Sequence, residues 1–172
     1  VLMRHAKSDY PNGVGDHDRP LANRGVREAG LAGAWLRDNV PDIEHVLCSS
    51  AVRTRQTLER TRVAASVNFS ERLYGATPGT MIDEINRVAE EVATLLVVGH
   101  EPTVSHVALG LAGPDGTDRD DERIGSLHGS QDDDDREAED GQFEVRIHHL
   151  RRAHGFDVAA AGLAVFVAGR RE

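Results

Sequence analysis

Apolar residues fall along this chain in two alternating patterns: short unbroken runs, and longer stretches in which they recur every third or fourth position. Val1-Leu2-Met3, His45-Val46-Leu47-Cys48 and Leu95-Leu96-Val97-Val98 are runs of the first kind. Each is closed by polar or turn-forming residues, the pattern of a strand buried on both faces. Val67-Asn68-Phe69 reads as a shorter strand, Phe143 to Ile147 alternates like a half-exposed one, and Gly162 to Val167 reads as a last strand. Between the runs the period changes. A helix begins near Asn23, a suitable N-cap, with Val26, Ala29, Ala32 and Leu36 at helical spacing, and Asn39 and Pro41 end it. A second helix spans about Ala51 to Arg62 and opens at Ser49-Ser50, a natural cap pair. A third runs from Thr80 to Val92, with Met81, Ile85, Val88 and Val92 on one face, and a fourth from Val104 to Leu111.

Alternating apolar strands and amphipathic helices predict right-handed βαβ units. The expected fold class is α/β: three layers, α/β/α, around a mostly parallel central sheet. At 172 residues the expectation is a single domain over 1–172. Periodicity disappears from Asp115 to Gln142, which is expected to be an acidic, solvated and mobile loop (115–142) within that domain.

Charge sharpens this picture. The chain carries a net −9. The stretch from Asp115 to Asp140 holds twelve acids against Arg119, Arg123 and Arg136, so it accounts for that whole excess. The sign argues against a nucleic-acid partner. No apolar run approaches the ~20 residues of a membrane span, so no membrane partner is expected. No secretory signal is visible, and a single cysteine, Cys48, excludes an internal disulfide. A cytoplasmic location is the simplest expectation. The chain opens on Val1 on a short strand, which leads us to expect that a few residues precede it. A metal site is not expected. The acidic stretch lacks an Asp-x-Asp-x-Asp-Gly loop with its closing Glu, and His148-His149, adjacent on a strand, face opposite sides.

Chemistry gathers at the ends of the apolar runs. The first delivers Arg4 and His5, the run at 95–98 delivers His100, and Arg53 follows the run at 45–48 within a helical turn. In open parallel sheets, reacting groups collect past the carboxyl ends of the strands. Two imidazoles and two guanidiniums at one rim suit phosphoryl transfer. Guanidiniums match the oxygens of a phosphoryl group with paired donors, and neutral imidazole is a competent nucleophile near pH 7. No Gly-x-x-x-x-Gly-Lys-Ser/Thr loop is present, which argues against a P-loop nucleotide enzyme.

Leu2-Met3-Arg4-His5-Ala6 together with Val98-Gly99-His100-Glu101-Pro102 resembles the histidine phosphatase superfamily, of phosphoglycerate mutase-like fold. Asp18-Arg19-Pro20-Leu21 and Ser50-Ala51-Val52-Arg53-Thr54-Arg55-Gln56-Thr57 resemble its SixA-type phosphohistidine phosphatases. The resemblance covers about Val1 to Leu111. It implies that His5 is a nucleophile phosphorylated in turnover, with His100 catalytic beside it and Arg4, Arg53 and Arg19 binding the phosphate. Ser70-Glu71-Arg72-Leu73-Tyr74-Gly75 is similar to the stretch where mutase-like members keep their acid, which makes Glu71 a candidate proton donor. The alternative for Arg19 is a loop charge paired with Asp16 or Asp18, and for Glu71 a solvated carboxylate. The resemblance implies no cofactor and no metal. Its substrate would be a phosphorylated protein, phosphohistidine first. Only 46 residues separate Arg53 from His100, which leaves little chain for a lid and favours a substrate carried on a protein surface. The alternatives are a small-molecule phosphomonoesterase of the same superfamily and a non-catalytic phosphate-binding module.

Overall fold

The computed structural model describes residues 1–112 and the backbone of two further short strands, Ile147–His149 and Val165–Val167. The element order is β1 (Leu2–Arg4), α1 (Asn23–Asn39), β2 (His45–Ser49), α2 (Val52–Thr61), β3 (Ser66–Ser70), α3 (Pro78–Ile85), β4 (Leu95–Gly99), α4 (Thr103–Ala112), β5 (Ile147–His149) and β6 (Val165–Val167). Short 3-10 turns occupy Asp16–Asp18 and Glu71–Leu73. The sheet order is β3-β2-β4-β1-β6-β5. The pairs β3–β2, β2–β4, β4–β1 and β6–β5 are parallel and β1–β6 is antiparallel, which makes the sheet mostly parallel as expected. The acidic segment 115–142 and most of the strand expected over Phe143 to Ile147 lie outside the described residues.

Side chains alternate across a strand, so each strand feeds two cores. Met3, Val46, Cys48, Leu96 and Val98 face one way, onto Ala29, Ala32 and Leu36 of α1 and Leu58 of α2. Leu2, Leu47 and Val97 face the other way, onto Met81 of α3 and Val104, Val107 and Ala108 of α4. Unbroken apolar runs are needed because both faces are covered, and this is the three-layer α/β/α arrangement. Gly33 lets α1 and α2 touch, since a Cβ there would stand 2.1 Å from the Thr61 carbonyl oxygen.

Three expected boundaries change. Asn23 is the first helical residue of α1 and Ala22 takes the cap position, with no side-chain capping bond. Neither Ser49 nor Ser50 caps α2; Ala51 precedes it, and both serine hydroxyls bond histidines instead. The third helix is Pro78–Ile85, earlier and shorter than Thr80 to Val92. The Thr77 hydroxyl accepts from the Thr80 N–H, and Pro78 fills the first turn, where its missing N–H costs nothing. Past Ile85 the backbone tightens into successive turns, Arg87 N–H to Glu84 O and Val88 N–H to Ile85 O. Ile85 and Val88 keep their apolar contacts there, so the helical period outlasts the helix.

Candidate active site

Register builds the site. Arg4 pairs with Gly99 across β1 and β4, so His5 and His100 leave neighbouring strands at the same level. The His5 N–H donates to the Gly99 carbonyl at 3.0 Å, and the two imidazole centroids lie 5.2 Å apart, edge to face. On the other side of β4, Cys48 pairs with Val98, and the chain continues through Ser49 to α2, whose first turn carries Arg53.

Loop packing fixes His5. The Ala6 N–H donates to the Thr57 hydroxyl at 3.0 Å, which in turn donates to the Arg53 carbonyl at 2.7 Å. The Lys7 N–H donates to Glu28 at 3.3 Å and the Ala22 N–H to the Lys7 carbonyl at 3.0 Å. Gly25 permits that approach: a Cβ there would sit 2.0 Å from the Lys7 carbonyl oxygen.

The protonation of His5 follows from its partners. Its Nδ1 lies 2.8 Å from the Ala6 carbonyl, which can only accept, so Nδ1 carries the proton and Nε2 holds a free lone pair. The Nε–H of Arg53 faces that lone pair at 3.3 Å. Burial, and after it the charges of Arg53, Arg4 and Arg19, hold the His5 pKa down at about 4, against 6.5 ordinarily. Burial, then His5 and Arg53, lower His100 to about 3. Both rings are neutral at pH 7. His100 Nε2 lies 2.8 Å from the Ser49 hydroxyl.

Arg53 is buried. Besides His5 it donates through Nη1 to the Asp16 carbonyl at 2.5 Å and through Nη2 to the Asp16 carboxylate at 3.1 Å. Arg4 is exposed at the end of β1, where its charge bears on His5. Arg19 forms part of the wall. It donates to the Asp9 carbonyl at 2.9 Å, to the Ser8 hydroxyl at 2.6 Å and to Asp16 at 2.9 Å, and lies over the Tyr10 ring. Its guanidinium therefore shapes the loop over the site while contributing charge to it. Glu71 is exposed at the start of its 3-10 turn. From that turn the backbone leads to Tyr74, whose ring lies 5.7 Å from that of His100.

Sequence reasoning left out the mouth. The Asp16 carboxylate accepts from Arg19, from Arg53 and from the Tyr74 hydroxyl at 2.8 Å. The Tyr74 bond, then Arg19 and Arg53, hold its pKa at about 2. His17 packs edge-on against Tyr74 at 4.8 Å, and its Nε2 lies 3.0 Å from the Ser50 hydroxyl. These residues sit in polar loops without periodicity. Only the pairing of Arg19 with Asp16, the alternative expected for Arg19, was read, and the ion pair is present at 2.9 Å.

A mostly parallel α/β sheet that places two neutral histidines and a buried arginine at adjoining strand ends is an arrangement suited to an oxyanion. The match to known proteins gives the family. Residues 1–96 match the histidine phosphatase superfamily (branch 1), and the chain belongs to that family. It is 32% identical over 116 residues, 64% of this chain and 71% of the other, to the phosphohistidine phosphatase SixA of Escherichia coli. Among solved structures it is similar to a chain from Nakamurella multipartitia (TM-score 0.62, 42% identity), covering 64% of each chain and so just under two thirds of that protein. It is also similar to the protein histidine phosphatase SixA complexed with tungstate (TM-score 0.58, 29% identity), covering 64% of this chain and 74% of that one.

Proposed function

We propose that this protein is a metal-independent phosphatase that works through a phosphohistidine at His5, and that its substrate is phosphohistidine on proteins. One observation carries the reading: His5 has its Nδ1 proton fixed on the Ala6 carbonyl and its Nε2 lone pair aimed at the Arg53 Nε–H. A histidine held this way is an unprotonated nucleophile beside a guanidinium that can take the phosphoryl oxygens.

The steps follow from those positions. The phosphoryl group enters between His5 and Arg53, with Arg4 adding charge from the strand end. Nε2 attacks phosphorus as the bond to the leaving group breaks, and the leaving atom keeps that bond's electron pair. Water then attacks the phosphoenzyme, the phosphorus–Nε2 bond breaks, and orthophosphate leaves. His100, beside His5 and oriented by Ser49, donates to the phosphoryl oxygens. The incoming negative charge favours the protonated form of His100, which donates to it, while His5 attacks as the neutral ring. Glu71 stands as the donor for ester leaving groups only, since a protonated imidazole leaves without one.

Access supports a protein-borne substrate. Between Arg53 and His100 the chain is spent on the rest of α2, β3, a 3-10 turn, α3, β4 and their connections, and it inserts no lid domain there. The similarity to SixA, whose structure complexed with tungstate is among the solved ones, points the same way. The test is hydrolysis of p-nitrophenyl phosphate and of a phosphohistidine peptide with EDTA present. EDTA-resistant turnover of both that is lost in His5→Ala supports the reading; binding of vanadate without turnover contradicts it.

A further inference from the structure

Arg53 and Arg19 converge on the Asp16 carboxylate, which the reaction scheme above does not use. From the nucleophile outward, the order is His5 Nε2, Arg53 Nε at 3.3 Å, and, on the far end of the same guanidinium, Asp16 Oδ2 at 3.1 Å from Nη2. A group transferred in line to Nε2 departs on the side away from His5, toward this outer end. Asp16 is exposed there, next to the half-buried rings of Tyr74 and His17. An anion at this place is unfavourable to a phosphate ester, whose leaving oxygen gathers negative charge. It suits a leaving group that is cationic before the bond breaks.

We propose that Asp16 is the specificity-determining residue that selects phosphoramidate substrates, N-phosphorylated imidazole above all, over phosphate monoesters. This rests on the phosphatase reading above. N-phosphoimidazole protonated on its distal nitrogen carries a positive charge and one N–H. Asp16 accepts from that N–H, and the aromatic edges of His17 and Tyr74 flank the ring. When His5 attacks, the phosphorus–nitrogen bond breaks and its electron pair returns to the ring nitrogen. The imidazole leaves neutral with the distal proton still in place. The carboxylate thus favours the protonated form, whose leaving group is the better one, and no proton donor acts on the leaving nitrogen. For an ester the same carboxylate repels the developing alkoxide or phenolate.

The experiment compares kcat/KM for N-phosphoimidazole and p-nitrophenyl phosphate in wild type, Asp16→Asn and Asp16→Glu. Loss of one charge-assisted hydrogen bond predicts that Asp16→Asn lowers the phosphoimidazole-to-ester ratio by about tenfold, and that Asp16→Glu restores part of it. Equal losses on both substrates would assign Asp16 to positioning Arg53 and overturn the proposal. An unchanged ratio in a folded Asp16→Asn overturns it too. Wild type that hydrolyses neither substrate refutes the phosphatase reading instead, so the two failures are told apart. Should Asp16→Asn not fold, Asp16→Glu against wild type decides, because lengthening the carboxylate by a methylene shifts the ratio only if the carboxylate meets the leaving group.

Discussion

The Nε–H of Arg53 meets the Nε2 lone pair of His5 at 3.3 Å, and this pairing sets both the charge and the orientation of the His5 ring. A guanidinium has no acceptor, so it can face His5 only while Nε2 is unprotonated. The same group then stands ready for the oxygens of whatever phosphoryl group Nε2 attacks.

Removing that guanidinium removes donors to a charged group. Arg53→Ala lowers kcat/KM by roughly 10- to 150-fold, the equivalent of about 1.5–3 kcal/mol. Arg53→Lys recovers only part, because an ammonium keeps the charge and loses the planar fork. Steady-state kinetics on p-nitrophenyl phosphate read both, and an Arg53→Ala enzyme equal to wild type would remove Arg53 from the site.

Acid tolerance of catalysis follows from the depressed histidine. His5 in the free protein protonates at about 4. The acid limb of the kcat/KM profile therefore lies near pH 4, and activity is level from there toward neutrality as far as the nucleophile is concerned. A limb near 6.5, the value of free imidazole, would contradict the buried, arginine-flanked nucleophile.

Stability carries the same signature with a definite sign. In the unfolded chain His5 and His100 protonate near 6.5, while in the native protein they do so at about 4 and about 3. Between those values the unfolded state binds more protons, so native stability rises with pH. Their contribution is complete above pH 6.5 and is lost as pH falls toward the folded values. Scanning calorimetry from pH 4 to 7 shows Tm rising with pH, and the slope is shallower in His5→Ala and in His100→Ala. Parallel curves for wild type and variants would contradict the low folded pKa values.

Gly25 tests how tightly the loop after β1 is held. A Cβ there would stand 2.0 Å from the Lys7 carbonyl oxygen, which is backbone and cannot swing aside. Gly25→Ala destabilises the protein by about 1–3 kcal/mol, the usual cost of overpacking. It also lowers activity in the folded fraction, because Lys7 lies two residues from His5. A lowered denaturation midpoint in urea checks the first effect, and an unchanged midpoint contradicts it.

The parts of the fold and site that could be read from sequence share one property: they lie at the ends of buried strands. Met3, Val46, Leu96 and Val98 are apolar because both sheet faces are covered, and that run marks where the strand stops. His5 and His100 follow as the next residues in chain order. His17 and Tyr74 were not legible, and Asp16 only as a partner for Arg19, because they sit in polar loops whose position depends on what they pack against. Ser49 and Ser50 misled for a related reason: a serine before a helix suits a cap, and only the tertiary structure brings His100 and His17 within reach of the hydroxyls. The third helix stops at Ile85 while Val88 keeps its apolar contact in a turn, so burial periodicity alone cannot locate a helix end.

In the proposed reaction His5 carries the phosphoryl group during turnover. The direct measurement is to mix wild-type protein with a phosphoryl donor, quench in alkali, where phosphohistidine persists, and locate the modification by peptide mass spectrometry. One phosphoryl group is expected on the peptide bearing His5, absent from His5→Ala, and formed fast enough to account for turnover. Turnover that persists in His5→Ala, or a steady-state enzyme with no phosphoryl group on His5 under conditions that trap it, would contradict it.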